Sequence, residues 1–364
     1  MSRVRIGVIG CGAIAQVQHL PFLTELSEEF EVPVVCDASP AQAAYAAERF
    51  RIERHVTDYR EVLESDVDAV LLCHSDPKTE VAVASLDAGK HAFIEKPICF
   101  SLEEADAIIG AARRSGKVAQ AAYTKLFEPA YELAQREIES IDDVRLIQIN
   151  HLHPNNDLHV RQFRTRRFDD LPEAIVQRTR EARDAARKAA IGDVPPHVLT
   201  AFFSLSGSMI HDLYGLRALF GVPSRVVSTE IWADGKAYST MLEYTAGQRC
   251  IATWVDLPGL WDFHETLEVY GGSKRVIVKF GTGFSRTVST ITVQEIDSGG
   301  RTVRKEPAVD LESPFRRELR HFHDCIVNGT PNRSPIEASR DDVALVIDIT
   351  GAYLSGGPVS RPAR

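Results

Sequence analysis

The sequence has few cysteines, no excess of positive charge and no long apolar run. Its six cysteines lack a CxxC pair, so neither a zinc site nor a disulfide framework is indicated, and a reducing cytoplasm fits. A formal net charge of −9 argues against a general nucleic-acid or membrane-surface role, because both use a basic field. No apolar stretch approaches the roughly 20 residues of a membrane span.

The apolar stretch that follows Arg3 and Arg5 has the pattern of a signal peptide. Cleavage there would remove the first strand and the glycine loop described below, so we expect an uncleaved, cytoplasmic protein. With 364 residues, 44% hydrophobic and 26% charged, the chain has the composition of an ordinary globular protein with room for two domains.

The glycine motif near the N-terminus predicts a strand, a tight turn and a helix start. An apolar run over residues 4–9 leads into Gly10, which permits the turn, and Gly12, which lets the backbone approach a pyrophosphate. Ala15 replaces the third glycine, where helix and strand pack closely. The phosphates would sit on free N–H groups at the helix start. The predicted phosphate-binding residues are Gly10, Gly12, Ala13 and Ile14. The alternative is a glycine-rich turn without a nucleotide.

An acidic residue at the end of the second predicted strand supports the nucleotide interpretation. Asp37 follows the run 32–36 and lies 22 residues after Ala15, where a carboxylate can bind the adenosine ribose diol. Asp37 would repel a 2′-phosphate, and Ala38 and Ser39 supply no arginine to compensate. The pattern therefore favours NAD over NADP.

Strands alternate with helices as far as Ala122, which predicts a doubly wound parallel sheet in a dinucleotide-binding domain over residues 1–123. Ser101 with Glu104 has the spacing of a capping box. Ligands of such sheets bind at the carboxyl ends of the strands. Residues at two of these ends are therefore candidate cofactor contacts: His74, Ser75, Glu95 and Lys96.

From about Thr124 the pattern changes to two-residue alternation, which predicts an α+β domain over residues 124–364 with a large, mostly antiparallel, open-faced sheet. Glycine-containing turns separate many of these strands. The predicted strands are 144–149, 226–231, 239–244, 250–256, 266–270, 275–279 and 288–296.

The segment 161–205 departs from this alternation, and its first part, 161–190, holds nine basic and five acidic residues. Asp170 can cap a helix with Pro172 in its first turn, and Gly192 can end it. One interpretation is a solvated helix packed by a narrow stripe of small residues. The other is a lid that supplies an arginine to an anionic or polyhydroxylated substrate, the candidates being Arg161, Arg164 and Arg167.

Several motifs together resemble the Gfo/Idh/MocA family, the relatives of glucose–fructose oxidoreductase and inositol dehydrogenase. The glycine motif, Asp37 and especially Glu95-Lys96-Pro97 carry the resemblance in the first half. In the second half it rests on the stretch from Ile210 to Gly221 and on the one from Phe315 to Gly329. The resemblance covers nearly the whole chain apart from 161–205.

The resemblance implies an NAD-dependent dehydrogenase that oxidises a secondary alcohol of a sugar, sugar derivative or cyclitol. Hydride transfer needs a base for the hydroxyl proton and a positive donor for the developing oxyanion. Lys96 would polarise the oxygen and His211 would exchange the proton. The expected substrate-contacting residues are Tyr123, Lys125, His153, Asn155, Arg164 and His211. The resemblance also implies a homodimer or homotetramer through the open sheet face, and a helix over 332–355 that packs back on the first domain.

The chain departs from the family at two positions. Where many members carry an aspartate that orients the histidine one helical turn away, this chain has Gly207. His74 and Ser75 stand where relatives often have Thr-Pro, so His74 is either a substitute acid or, as we favour, a cofactor-loop residue. A metal site at His151 and His153 is conceivable, but no carboxylate–histidine pattern marks one, so we expect none.

Two other functions stay open from the sequence. A redox-neutral enzyme would keep NAD bound and use transient oxidation to cleave a glycoside or epimerise a carbon, and the absent aspartate leaves room for it. A catalytically silent dinucleotide-binding protein would need no acid or base.

Overall fold

The computed structural model describes residues 3–284 and 287–361, which form two compact units. The first unit runs to Tyr123 and also contains Val160–Gly192 and Phe315–Val343. The second contains Thr124–His159, Asp193–Pro314 and the chain from Ala344 onward. The predicted single domain over 124–364 is therefore interrupted twice by segments of the first unit.

The first unit is built on a parallel sheet in the order β4-β3-β1-β5-β6-β7, with β2 also paired to β1. Because the order reverses at β1, the crevice at its carboxyl end is the usual ligand position of such a sheet. The strands are β1 Val4–Ile9, β2 Phe30–Glu31, β3 Val34–Cys36, β4 Arg54–Val56, β5 Ala69–Leu72, β6 His91–Ile94 and β7 Ala119–Ala121.

The second unit holds a nine-stranded sheet in the order β15-β14-β13-β12-β8-β11-β10-β9-β16. All its pairs are antiparallel except β8 with β11, so the predicted fold class is confirmed. The strands are β8 Leu146–His153, β9 Arg225–Trp232, β10 Ala237–Glu243, β11 Arg249–Asp256, β12 His264–Tyr270, β13 Lys274–Phe280, β14 Thr290–Ile296, β15 Thr302–Lys305 and β16 Val359–Ser360.

Two of the helices continue from a π-helical turn, Ala15–His19 before α1 and Leu205–Met209 before α10. The helices are α1 Leu20–Glu25, α2 Pro40–Phe50, α3 Tyr59–Leu63, α4 Thr79–Asp87, α5 Leu102–Ser115, α6 Pro129–Glu139, α7 Asn156–Val160, α8 Glu173–Ile191, α9 Pro196–Ser204, α10 Ile210–Phe220, α11 Pro314–Val327 and α12 Ile336–Ser355. Within residues 3–284 and 287–361, no helix combines the length and apolar character needed to cross a membrane.

Helix α11 belongs to the core of the first unit although it lies far along the chain. Phe315, Leu319 and Phe322 are buried in one cluster with residues of β1 and β6. Their spacing places three large apolar side chains on one face of the helix. The predicted helix over 332–355 corresponds to α12, whose residues up to Val343 belong to the first unit and whose later residues belong to the second.

The sheet of the second unit has one buried face and one face that stays partly exposed. Along β8, Ile147, Ile149 and His151 are buried, whereas Gln148 and Asn150 between them are partly exposed. This alternation follows from the opposite direction of successive side chains in a strand. His151 and its cross-strand partner Glu265 both lie on the buried face of this sheet.

The segment 160–192 ends in the predicted helix, but its cap differs from the prediction. Helix α8 begins after Pro172 with no side-chain cap and ends at Gly192. Only Ala186 of this helix is buried, as expected for a largely solvated helix. Asp170 does not cap α8. Its carboxylate accepts hydrogen bonds from Ser39 and from the Ala41 N–H, at the start of α2.

Candidate functional site

The glycine loop at the end of β1 has the geometry that a dinucleotide needs. Gly10 has φ +96°, and a Cβ there would lie 2.2 Å from the His74 backbone nitrogen, so only glycine fits. A Cβ at Gly12 would meet nothing within 4 Å, and Gly12 and Ala13 are exposed. The open space at Gly12 therefore leaves room for a pyrophosphate to approach the backbone.

Asp37 is held by the backbone of the glycine loop. Its carboxylate accepts the Cys11 N–H at 2.8 Å and the Ser39 N–H at 2.9 Å. Burial raises the pKa of Asp37 above its ordinary value, although the two N–H donors oppose that rise. The Asp37 carboxylate lies beside the glycine loop, and the sequence motif predicts that it binds the adenosine ribose.

His74 lines the same edge of the sheet as a neutral ring. Burial lowers the pKa of His74 to about 3, with a further contribution from the Lys78 charge. Both ring nitrogens are buried and lack a hydrogen-bond partner among residues 3–284 and 287–361. A ring that stays neutral is poorly suited to act as an acid, so the structure favours the cofactor-loop interpretation of His74 over a substitute acid.

Lys96 follows β6 at the same carboxyl edge and is half-buried. Burial lowers the pKa of Lys96, although the Glu95 charge acts in the opposite direction. Glu95 is buried and accepts a hydrogen bond from the Lys96 N–H, and its other oxygen lies 2.7 Å from His19 Nε2. Burial would raise the pKa of Glu95, but His19 and the nearby lysines hold it below its ordinary value. The contact between His19 and the Glu95 carboxylate thus fixes the backbone of the Glu95-Lys96-Pro97 turn.

In the second unit, His211 lies in the first turn of α10 and is half-buried. Its Nδ1 is 2.9 Å from the hydroxyl of Tyr214, one helical turn further on. That hydroxyl also accepts the Lys125 N–H at 3.1 Å. Tyr214 thus contacts the His211 imidazole in a chain whose position 207 is glycine. The i, i+3 spacing was a signal in the sequence that our prediction missed.

Asp212, the residue after His211, belongs to a buried ionic cluster with Lys125, His151 and Glu265. The Lys125 ammonium is paired with Asp212 at 2.9 Å and with Glu265, and it lies 4.4 Å from the centre of the Phe280 ring. The other Asp212 oxygen is 2.7 Å from His151 Nδ1. Burial would raise the pKa of Asp212, but the Lys125 and His151 partners hold it below its ordinary value.

The cluster also offers three groups that could ligate a metal ion. His151, Asp212 and Glu265 place ligand atoms within 4.8 Å of one another. The Lys125 ammonium already lies against both carboxylates and supplies the positive charge that a cation would bring. We therefore interpret the cluster as an internal network of ion pairs. The expected absence of a metal ion remains a prediction.

A chain of polar side chains leads from the ionic cluster towards Ser208. His151 Nε2 lies 3.1 Å from His153 Nδ1 and 3.2 Å from Ser208 Oγ. The Trp254 indole N–H donates to the same Ser208 oxygen at 2.9 Å. Ser208 precedes His211 by three residues. The alternation of His151 and His153 was visible in the sequence, whereas Ser208 and Trp254 carried no signal that linked them.

The remaining predicted substrate residues lie in different surroundings. Tyr123 is almost fully buried in the first unit, and Lys125 is buried in the ionic cluster. Asn155 is exposed and accepts the Asp157 N–H in the turn before α7. In the first unit, the Arg164 carbonyl accepts hydrogen bonds from Tyr45 and Arg49 of α2. His153 belongs to the polar chain that leads to Ser208.

Comparisons with known proteins indicate an NAD-binding oxidoreductase. A family model described as "Oxidoreductase family, NAD-binding Rossmann fold" matches residues 4–123. The uncharacterized oxidoreductase YrbE of Bacillus subtilis is 25% identical over 62% of this chain and 71% of its own length. Inositol 2-dehydrogenase of Salmonella typhimurium is 28% identical over 42% of this chain and 46% of its own length.

Among solved structures, levoglucosan dehydrogenase in complex with NADH superposes over the full length of both chains. The TM-score is 0.76 at 18% sequence identity. The likeness therefore extends to both units of the fold, including the second sheet, beyond the residues that the family model matches.

Proposed function

We propose that this chain is an NAD-binding oxidoreductase of the Gfo/Idh/MocA type and that it reversibly oxidises a secondary alcohol of a sugar, sugar derivative or cyclitol. The observation that carries the proposal is the position of Lys96 at the same carboxyl sheet edge as the Gly10–Gly12 loop and Asp37. An amine at that edge can meet an alcohol whose carbon faces a nicotinamide. Similarity to inositol 2-dehydrogenase and to levoglucosan dehydrogenase supports a polyhydroxylated substrate.

The first unit's residues fit a bound dinucleotide in three places. The free N–H groups after Gly12 would hold the pyrophosphate, the Asp37 carboxylate would bind the ribose diol, and His74 would line the loop. When bound, NAD+ accepts a hydride from the carbinol carbon.

Lys96 would donate a hydrogen bond to the substrate oxygen. Burial lowers the pKa of Lys96 towards the working pH. A hydrogen-bond donor aimed at the substrate oxygen stabilises the negative charge that develops there. Glu95 and His19 fix the backbone from which the Lys96 side chain projects.

His211 would take the hydroxyl proton as the hydride leaves and return it in the reverse direction. Proton acceptance at Nε2 requires the tautomer whose Nδ1–H donates to Tyr214. The Tyr214 hydroxyl thereby sets the orientation of the His211 ring. The alcohol oxygen would lose its proton to His211 as the C–O bond of the substrate becomes a carbonyl. The balance is one hydride to NAD+ and one proton to His211.

A second candidate function is the redox-neutral one, in which NAD stays bound and is reduced only transiently. The observation that favours it is the strap formed by residues 160–172, which is bonded to the dinucleotide unit. Gln16 donates to the Arg166 carbonyl at 2.9 Å, and the Arg166 N–H donates back to Gln16 at 3.0 Å. A strap so close to the glycine loop would slow cofactor exchange.

The experiment that separates these functions begins with the cofactor content of the purified protein. The protein is denatured, and nicotinamide dinucleotides in the supernatant are measured by mass spectrometry per mole of chain. Substoichiometric NAD together with NADH formation from a panel that includes inositols and anhydrosugars supports the dehydrogenase. Near-stoichiometric NAD without net NADH formation supports the redox-neutral enzyme.

Two variants test whether the chain is catalytic at all. We expect His211→Asn to lower turnover at least about 100-fold, the scale of a lost general base, with NAD binding retained. Lys96→Ala should also lower turnover. A panel reaction that neither variant changes would instead support a catalytically silent dinucleotide-binding protein.

The open face of the second sheet is proposed as the contact between copies of this chain. Residues such as Leu152, Ile251 and Val255 share that face by their register and remain partly exposed. Apolar side chains in a row on an open sheet favour association. Light scattering on the eluting protein should give a dimer or tetramer mass, and Ile251→Lys should lower it. A monomer mass for the unaltered chain would contradict the assignment.

A further inference from the structure

Asp170 places a carboxylate on the N-terminal turn of a helix to which it does not belong. The Ala41 N–H donates to Asp170 at 2.8 Å, and the Ser39 hydroxyl donates to its other oxygen. Ser39 is also the N-cap of α2, since its hydroxyl accepts the Gln42 N–H at 3.0 Å. The Asp170 carboxylate therefore occupies the anion position that the Ala41 N–H, the Ser39 hydroxyl and the dipole of α2 create.

This anion position is next to the ribose-binding acid of the dinucleotide site. Asp37 accepts the N–H of the same Ser39 whose hydroxyl is bound to Asp170. The two carboxylates are close enough that the Asp170 charge contributes to raising the pKa of Asp37. A phosphate on the ribose 2′-oxygen would thus extend towards Ser39 and the start of α2.

We propose that Asp170 is a cofactor-selectivity residue that excludes NADP by occupying the position its 2′-phosphate would need. Asp37 alone disfavours the phosphate by charge, but Asp170 also removes the donors that could compensate. The strap 160–172 thereby determines which dinucleotide the first unit accepts. This inference rests on the NAD site of the proposed function and is independent of the substrate.

The strap is anchored by contacts that do not involve Asp170. Gln16 and Arg166 exchange two hydrogen bonds, the Tyr45 hydroxyl donates to the Arg164 carbonyl at 3.0 Å, and the Phe168 ring packs 5.8 Å from that of Tyr45. Removal of the Asp170 carboxylate should therefore leave the strap in place. The Arg166 guanidinium, 5.2 Å from the centre of the Tyr45 ring, then remains beside α2 as a cation.

The test is a comparison of NAD+ and NADP+ binding by isothermal titration calorimetry on cofactor-free, full-length protein. The variants are Asp170→Ala and the near-isosteric Asp170→Asn, with Asp169→Asn as the matched control, since it removes the same charge from the neighbouring exposed residue. We expect both Asp170 variants to bind NADP+ about 10-fold more tightly, the effect of removing a like charge next to a phosphate, while NAD+ affinity changes less than about 3-fold.

Three outcomes would overturn the inference. If the ratio of the two affinities is the same in both Asp170 variants as in the unaltered chain, Asp37 alone sets the selectivity. If Asp169→Asn raises NADP+ affinity equally, only net charge matters. If the unaltered chain binds neither dinucleotide, the cofactor assignment itself fails, and this result is distinguishable because it precedes any substitution.

Discussion

Within α10, the Tyr214 hydroxyl lies 2.9 Å from His211 Nδ1, and the π-helical turn that leads into this helix has glycine at position 207. A phenol is uncharged at neutral pH, so it orients the imidazole without the negative charge that a carboxylate would add. The imidazolium that forms after proton transfer is consequently less stabilised than beside a carboxylate. Tyr214 is therefore the positioning residue whose removal should most directly test the assignment of His211.

We expect Tyr214→Phe to lower kcat about 10- to 100-fold, because the imidazole loses its orienting partner, with little change in NAD+ affinity. The pH profile of kcat should shift as well, which a purely structural effect would not produce. Tyr131→Phe is the matched control, since its buried hydroxyl donates to the Gly215 carbonyl of the same helix. Equal losses in both variants would mean that the helix, and not His211, had been perturbed.

The two glycines of the loop should respond differently to alanine. Gly10→Ala should lower stability, because φ +96° and the 2.2 Å approach to His74 leave no room for a Cβ. Gly12→Ala should fold normally, since its Cβ meets nothing within 4 Å, yet bind NAD+ at least about 10-fold more weakly. Urea unfolding and calorimetric titration measure the two effects. Unimpaired NAD+ binding by Gly12→Ala would place the pyrophosphate elsewhere.

Loss of the Lys125 ammonium should destabilise the second unit. Lys125→Met leaves the Asp212 and Glu265 carboxylates buried without their cation, which we expect to cost about 3–5 kcal/mol of unfolding free energy. The double variant with Glu265→Gln should recover part of that loss. Arg301→Ala, which breaks an exposed pair with Asp297, should leave the urea midpoint unchanged. Equal midpoints for Lys125→Met and the unaltered chain would contradict a charged cluster.

His74 should make the cofactor-free protein sensitive to mild acid. Its pKa falls from 6.5 to about 3 on folding, so below pH 6.5 the unfolded chain binds a proton that the folded chain does not. Stability is complete above 6.5 and falls as the pH drops towards 3, by about 2 kcal/mol at pH 5 from this group.

Urea unfolding at pH 7 and pH 5 checks the His74 prediction. His74→Gln should lose less stability between these pH values than the unaltered chain. The control His55→Gln replaces an exposed histidine of β4 and measures the effect of the substitution as such. Parallel losses in all three proteins would remove His74 from the acid response.

Local signals in the sequence predicted much of the fold correctly. The capping box of Ser101 and Glu104 is present at the start of α5, and Gly192 ends α8. Such signals involve residues within a few positions of each other, so the chain itself brings them together. The two-residue alternation likewise predicted seven strands of the second sheet to within a few residues.

Predictions that depended on distant contacts were less successful. Asp170 was expected to cap its own helix. Its carboxylate instead accepts the N–H of Ala41 in the first turn of α2, and Ala41 lies 129 residues earlier in the chain. The boundary at Tyr123 marks the end of the first segment of one unit, yet Phe315 and Leu319 return to that unit's core. A helix cap needs only a carboxylate at the right point in space, and sequence spacing does not say which helix will supply the N–H groups.

The sequence by itself determined the glycine loop and predicted its role as a dinucleotide site, because Gly10, Gly12 and Asp37 would act through backbone geometry and through the order of strands in a doubly wound sheet. It also identified Lys96 and His211 as candidates through their motifs. Only the tertiary structure decided what surrounds them. Buried charges and hydroxyls are satisfied by whichever groups the fold brings within about 3 Å, and those groups come from strands and helices far apart in the chain.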